Sequence, residues 1–94
     1  MMRDRFIVLV NATTSERTKH VDFERETGIK RNTVKSLLDG KQRFNEEHIT
    51  AISDRFPEYK MWFVFGETMP EAGQISPEIE EVADSYGETG MDTQ

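Results

Sequence analysis

Short amphipathic segments that end at glycines are the feature that most restricts how this chain can fold. Apolar residues recur at the i, i+3, i+4 spacing of a helix face in "RFIVLV" near the N-terminus and again in "TVKSLL". Gly28 and Gly40 close two of these segments, where glycine can adopt the positive φ of a tight helix exit. The pattern predicts short helices packed together, and no alternation of apolar and polar residues favours a sheet.

The apolar spacing and its punctuation also predict where each helix begins and ends. We predict helices over 3–12, 19–26, 31–39 and 46–56. Asn45 can cap the fourth helix, and Pro57 stops it. The aromatic segment "EYKMWFVF" that follows is compatible with a short helix or a strand, and we favour the helix. We therefore expect an all-α fold, a small bundle of four to five helices.

Charge is divided unevenly along the 94 residues. Residues 1–65 hold all twelve Lys and Arg against ten acids, whereas residues 66–94 hold eight acids and no base. Such asymmetry indicates a basic functional module with an acidic appendage. We expect a folded domain at 1–65, followed by an acidic tail at 66–94.

Several classes of protein are disfavoured by what the sequence lacks. With no cysteine, the chain has no disulfides, thiolate zinc sites or cysteine nucleophiles. No apolar run approaches the roughly 20 residues that span a bilayer, and the N-terminus lacks the features of a signal peptide, so we expect a cytoplasmic protein with no membrane partner. No arrangement of Ser, His or acids matches a catalytic or metal motif, so we expect no enzyme activity, no metal and no cofactor.

Positive charge concentrates around the third predicted helix. The stretch "TGIKRNTVKSLLDGKQRF" holds five Lys and Arg and one acid, although the formal net charge of the chain is -6. Two short helices joined through a glycine form a helix-turn-helix pattern, whose second helix enters the DNA major groove. With Val34, Leu37 and Leu38 turned inward, the outward residues would contact bases of double-stranded DNA, since Arg suits guanine and Asn suits adenine. These residues are Arg31, Asn32, Lys35 and Ser36.

From His20 to Leu37 the chain resembles the helix-turn-helix of the Cro and phage-repressor class of bacterial and phage transcription regulators. The matching features are Phe23, Thr27, Gly28, Ile29, Val34, Leu37 and the "DGK" that closes the third helix. The segment "FPEYKMWFVFGETMP" is similar to the Trp-containing segment and "GE" exit of many small phage-type repressors. This resemblance implies a lambda-repressor-like DNA-binding domain in a transcriptional repressor that binds a palindromic operator as a homodimer.

Residues beside the recognition helix of such a domain contact DNA phosphates. We expect this role for Lys30, Thr33, Lys41 and Arg43, and the resemblance adds His20 at the start of the second helix. Lys30 stands where the family usually has a Ser or Thr cap, so its cation would lie at the positive end of the helix dipole. A nearby phosphate would relieve that repulsion, which is a local argument for an anionic partner.

Glu24 departs from the family pattern, which usually has a small residue such as alanine at the close contact between the two helices. A buried carboxylate is costly unless it is paired. We therefore expect a wider spacing of the helices, or a Glu24 side chain that reaches solvent or pairs with a base such as Lys35.

The acidic tail supports an alternative function. Its segment "ISPEIEEVADSYG" predicts an amphipathic helix over 77–86, with Ile79, Val82 and Tyr86 on the apolar face. These three residues, together with Trp62 and Phe63, are the candidates for the homodimer surface. If the tail helix binds another protein instead, the alternative to a repressor is a protein-interaction adaptor of the antirepressor or antitoxin-like kind.

Overall fold

The structure is a computed structural model that describes residues 1–78 and is mainly helical. Five α-helices run over Met2–Thr13 (α1), Lys19–Thr27 (α2), Arg31–Leu38 (α3), Glu46–Arg55 (α4) and Lys60–Phe65 (α5). Short 3-10 turns occupy Glu16–Thr18, Pro57–Tyr59 and Pro70–Ala72. Across 1–78 there is no strand, only an isolated bridge between Met69 and Gln74. The all-α prediction is confirmed, the aromatic segment is helical, and the four earlier helices end within one residue of their predicted bounds.

The core is built around aromatic side chains, with Phe6 of α1 at its centre. Phe6 is fully buried, and its ring meets those of Phe23 and Phe44 edge-on at centroid distances of 5.3 and 5.0 Å. Edge-to-face contacts of this kind add to the free energy gained from apolar burial. The other buried apolar residues are Leu9, Val10, Ile29, Val34, Leu37, Ile52, Phe56, Tyr59, Trp62 and Phe63.

The prediction that Trp62 and Phe63 form a dimer surface is wrong. Phe63 is fully buried and Trp62 is only 7% exposed, because α5 turns both rings into the core. Little of either ring is therefore accessible to a second chain. The aromatic residue of this helix that faces outward is Phe65, which is 72% exposed.

Two arginines of α1 bind the C-terminal ends of other helices. Arg3 donates from Nε to the carbonyl oxygen of Leu38 at 2.9 Å. Arg5 donates from Nε to the carbonyl of Phe63 at 2.9 Å and from Nη2 to that of Val64 at 3.4 Å. These carbonyls lie at the ends of α3 and α5, where backbone acceptors lack helical partners and the dipole attracts a cation. Both arginines therefore help to fix the bundle.

The chain folds back after α5. The Gln74 side chain accepts a hydrogen bond from the Met61 N–H and donates one to the Pro57 carbonyl, each at 2.9 Å. Ile75 packs against the core. Contacts with the bundle therefore continue past the predicted domain boundary at residue 65.

The remaining sequence predictions for the tail fall mostly beyond this packed segment. Of the helix predicted over 77–86, residues 79–86 lie outside the described residues, and with them the dimer candidates Ile79, Val82 and Tyr86. Within 1–78, no helix has both the length and the apolar character needed to cross a membrane.

Candidate nucleic-acid interface

The connection between α2 and α3 is three residues long and tightly held. Gly28 has φ +83°, and its N–H donates to the Glu24 carbonyl at 2.7 Å, which ends α2 with a left-handed residue. The Thr27 hydroxyl donates to the Phe23 carbonyl and accepts from the Ile29 N–H. Ile29 is itself buried, so the turn is anchored in the core. These contacts fix the direction in which α3 leaves α2.

The α3 helix presents the polar face that the sequence predicts. Val34 and Leu37 are fully buried, which orients the eight-residue helix. The four candidate base-contacting residues lie on the other side of it: Arg31, Asn32 and Lys35 are exposed and Ser36 is half-buried. A short helix with one apolar stripe therefore offers several hydrogen-bonding side chains to a partner.

Basic residues line a groove on one flank of α3. Lys19 and His20, at the start of α2, line this groove together with Lys35 of α3 and Asn11 of α1. Asp39 is the one acid of its lining. The structure thus brings the candidate phosphate contact His20 beside the candidate base contact Lys35. Lys19 also lines this groove, although the sequence analysis did not name it as a phosphate contact. Its position next to His20 at the start of a helix could have indicated that role.

The opposite flank of α3 is less positive. Lys30 and Thr33 line a groove there with Glu47 and His48 from the first turn of α4. The Glu47 carboxylate would oppose an anion in this groove. Of the two candidate phosphate contacts on this flank, only Lys30 is exposed and cationic, whereas Thr33 is half-buried.

The loop after α3 carries the last two candidate phosphate contacts. Lys41 and Arg43 are both exposed, and neither side chain makes an ion pair or hydrogen bond with the part of the chain that the structure describes. The loop begins at Gly40, whose φ is +75°, with the Arg3 guanidinium packed against it. Two cations thus extend the positive surface beyond the end of the helix.

The N-termini of α2 and α3 have no side-chain cap, unlike that of α4. Thr18 and Lys30 occupy the N-cap positions of α2 and α3, and neither side chain accepts a hydrogen bond from the helix. In α4, Asn45 accepts from the His48 N–H, and the His48 ring accepts from the Asn45 N–H. The free N–H groups and positive dipole ends of α2 and α3 add to the cations around them.

Glu24 pairs with Arg31, the first residue of α3. Its Oε1 accepts from Arg31 Nε at 2.7 Å, with the Glu24 side chain 30% and the Arg31 side chain 58% exposed. Glu24 thus pairs with a base, one of the expected alternatives; the base is Arg31, whereas Lys35, the example named above, faces the groove with His20. The carboxylate therefore holds a side chain that the sequence assigns to base contact.

Asp22 fixes the turn that leads into α2. Its carboxylate accepts from the Ser15 N–H at 3.0 Å and from the Thr18 hydroxyl at 2.8 Å, and it lies 3.8 Å from Arg25. The Ser15 hydrogen bond, followed by that from Thr18, lowers the pKa of Asp22 below its ordinary value. The ionised form therefore holds the N-terminal end of α2, next to Lys19 and His20.

No model of a known protein family matches this chain, and neither a curated protein nor a solved structure matches it. Within 1–78, no group of three or more His, Asp or Glu side chains could hold a metal ion.

Proposed function

We propose that this protein is a sequence-specific regulator of transcription that binds double-stranded DNA and acts as a repressor of the phage-repressor type. In this proposal α2 and α3 form the helix-turn-helix of a lambda-repressor-like domain. The observation that carries it is the exposed polar face of α3, which lies among unpaired cations while the apolar residues of the same helix are buried.

The dimensions of α3 suit the major groove. An α-helix with its side chains is about 10 to 12 Å in diameter, which fits the width of that groove, about 12 Å in B-DNA. Arg31 and Asn32 occupy the first turn of α3, the end that meets base edges in this docking mode. Arg31 would pair with guanine O6 and N7, and Asn32 with adenine N6 and N7.

The cations around α3 would supply binding that does not depend on sequence. A helix in the major groove runs between two phosphate backbones, so phosphates would approach both flanks of α3. Lys19 and His20 would meet one backbone and Lys30 the other, while Lys41 and Arg43 extend the positive surface beyond the end of α3. The uncapped N-termini of α2 and α3 favour the same ligand, because their free N–H groups can donate to phosphate oxygens.

Repression in this proposal works by occupancy of an operator. One small module buries little DNA surface, so strong specificity calls for a homodimer on a palindrome with half-sites roughly 34 to 36 Å apart. Because Trp62 and Phe63 are buried, the dimer contact is assigned to Phe65 and Met69, which are 72% and 43% exposed. Their apolar surface is accessible on the folded chain.

The proposal is tested by selecting binders from a pool of random duplex DNA and sequencing them, at about 50 and 200 mM salt, since non-specific binding falls steeply over this range. The expected result is a palindromic motif that persists at the higher salt. Asn32→Ala should then weaken one base preference in each half-site, whereas Thr50→Ala, an exposed change on α4, should leave the motif intact. A folded protein that enriches no motif at either salt would contradict the proposal.

A further inference from the structure

The ion pair between Glu24 and Arg31 leaves one edge of the Arg31 guanidinium free. Glu24 Oε1 engages Nε at 2.7 Å, and the two terminal nitrogens of Arg31 make no hydrogen bond with the described residues. The pair links the second half of α2 to the first residue of α3 across the Gly28 turn. Glu24 therefore holds Arg31 through Nε only. The Arg31 side chain is 58% exposed, so its two terminal nitrogens are accessible to a partner.

An arginine that reads guanine must present two N–H groups in the plane of the base. An unrestrained arginine samples many rotamers and loses that freedom when it binds. A carboxylate on Nε fixes the guanidinium plane before binding and leaves Nη1 and Nη2 as a parallel pair. The geometry of this pair matches the O6 and N7 acceptors of guanine.

The Glu24 charge also acts on binding to other DNA sequences. A carboxylate beside Arg31 offsets the attraction of that guanidinium for phosphates, which are present at every site. The hydrogen bonds from Arg31 to guanine depend on direction as well as charge, and its two terminal nitrogens remain free to donate them. The Glu24 charge should therefore weaken non-specific binding to phosphates more than it weakens the contact with guanine. Specificity depends on this difference between right and wrong sites.

From these contacts we propose that Glu24 is a positioning residue for DNA recognition, and that each operator half-site carries a guanine contacted by Nη1 and Nη2 of Arg31. This inference depends on the proposed function, since it names the base that α3 reads and the residue that sets the preference. Glu24 acts through Arg31 and need not touch DNA.

A second acid of α2 provides a matched control. Glu26 forms an ion pair with Arg55 of α4, so it links two helices as Glu24 does. Arg55 also lies over the Phe56 ring at 4.8 Å from its centroid, within the bundle. A purely structural role of acids in α2 would make changes at Glu26 and Glu24 equivalent for DNA recognition.

The test repeats the random-duplex selection with the full chain and four variants: Glu24→Ala, Glu24→Gln, Glu26→Gln and Arg31→Ala. Thermal unfolding of each variant establishes that it is folded at the assay temperature. We expect Glu24→Ala to bind DNA with its preference for one guanine reduced, up to the roughly 5- to 150-fold discrimination that a bidentate arginine supplies. Glu24→Gln, which keeps an acceptor for Nε, should retain more of that preference, and Glu26→Gln should keep the whole motif.

The double variant Glu24→Ala, Arg31→Ala separates positioning from stability. Without Arg31, removal of Glu24 should not change base preference further, because there is no guanidinium left to orient. A motif that keeps its guanine in folded Glu24→Ala overturns this inference, even if that variant binds all DNA more tightly. If the unmodified protein enriches no motif, the proposed function itself fails, so the two failures are distinguishable.

Discussion

Basic side chains on α1 and those around α3 carry the same charge but have different partners. Arg3 and Arg5 of α1 are bound to backbone carbonyls at the ends of α3 and α5. The side-chain ammonium groups of Lys30, Lys35 and Lys41 make no ion pair or hydrogen bond within residues 1–78. The first set stabilises the bundle, whereas the second remains available to an anion. An interface is therefore indicated by the cations that the fold leaves unpaired, more than by the number of cations.

Helix capping distinguishes α4 from the other four α-helices. The first turn of α4 is closed by reciprocal hydrogen bonds between Asn45 and His48, while α2 and α3 begin without a side-chain cap. A missing cap costs on the order of 1 kcal/mol of stability. At α2 and α3 the uncapped ends lie where the proposed phosphates would bind. The α1 and α5 helices also begin without a side-chain cap, so a missing cap by itself does not mark the interface.

The largest effect is expected in the core. Phe6→Ala should lower the free energy of unfolding by about 3 to 5 kcal/mol, because it removes a fully buried ring that contacts three other aromatics. Urea unfolding followed by circular dichroism measures this loss. At concentrations where the protein is monomeric, Phe65→Ala is the control, since its ring is 72% exposed on the single chain and its removal should change stability little. Equal losses in the two variants would contradict the division between buried and outward-facing aromatics.

A smaller loss of stability should follow when a bound arginine of α1 is replaced. Arg5→Met keeps an aliphatic side chain but removes the donors to the end of α5, which should cost roughly 1 to 3 kcal/mol. Arg17→Met removes an exposed charge with no partner among the described residues, and should change stability by less than about 0.5 kcal/mol. If thermal unfolding shows the same small change for both, the contrast between bound and free cations is wrong.

Removal of a free cation should affect DNA binding and leave folding unchanged. Lys41→Gln should reduce the slope of log affinity against log salt by roughly 0.9, the value for one phosphate contact on duplex DNA. The loss of affinity should be similar for operator and scrambled sequences, and the unfolding temperature should not move. A titration over several salt concentrations measures the slope; a slope equal to that of the unmodified protein would exclude Lys41 from the interface.

The smallest effect depends on pH and concerns the turn before α2. Because hydrogen bonds lower the pKa of Asp22, its folded-state pKa lies below the unfolded value, and its stabilisation is present above about pH 4. That contribution is lost as the pH falls through the folded-state pKa. Asp22→Asn should therefore be less stable than the unmodified protein at pH 6, with a difference that narrows below pH 4. Unfolding curves at pH 6, 4 and 3 check this; a difference independent of pH would contradict it.

Much of the candidate interface follows from the residues of α3 alone. Val34 and Leu37 determine which side of the helix is buried, so the outward positions of Arg31, Asn32 and Lys35 could be predicted from a spacing of 3.6 residues. The partner of Glu24 could not be predicted in this way. The choice between Lys35 and Arg31 depends on how α2 and α3 cross, which the spacing along either helix does not fix.

The sequence by itself determined the bounds and inward faces of α1 to α4. Those properties depend on local chemistry, namely the glycine exits, Pro57, the Asn45 cap and the apolar period. Only the tertiary structure decided which charged side chains and aromatic rings remain exposed and free to contact a partner. Arg5 and Phe63 are 58 residues apart in sequence, and the Arg5 side chain reaches the Phe63 carbonyl because α1 packs against α5. Such long-range contacts leave no local pattern, since they arise only when distant helices meet.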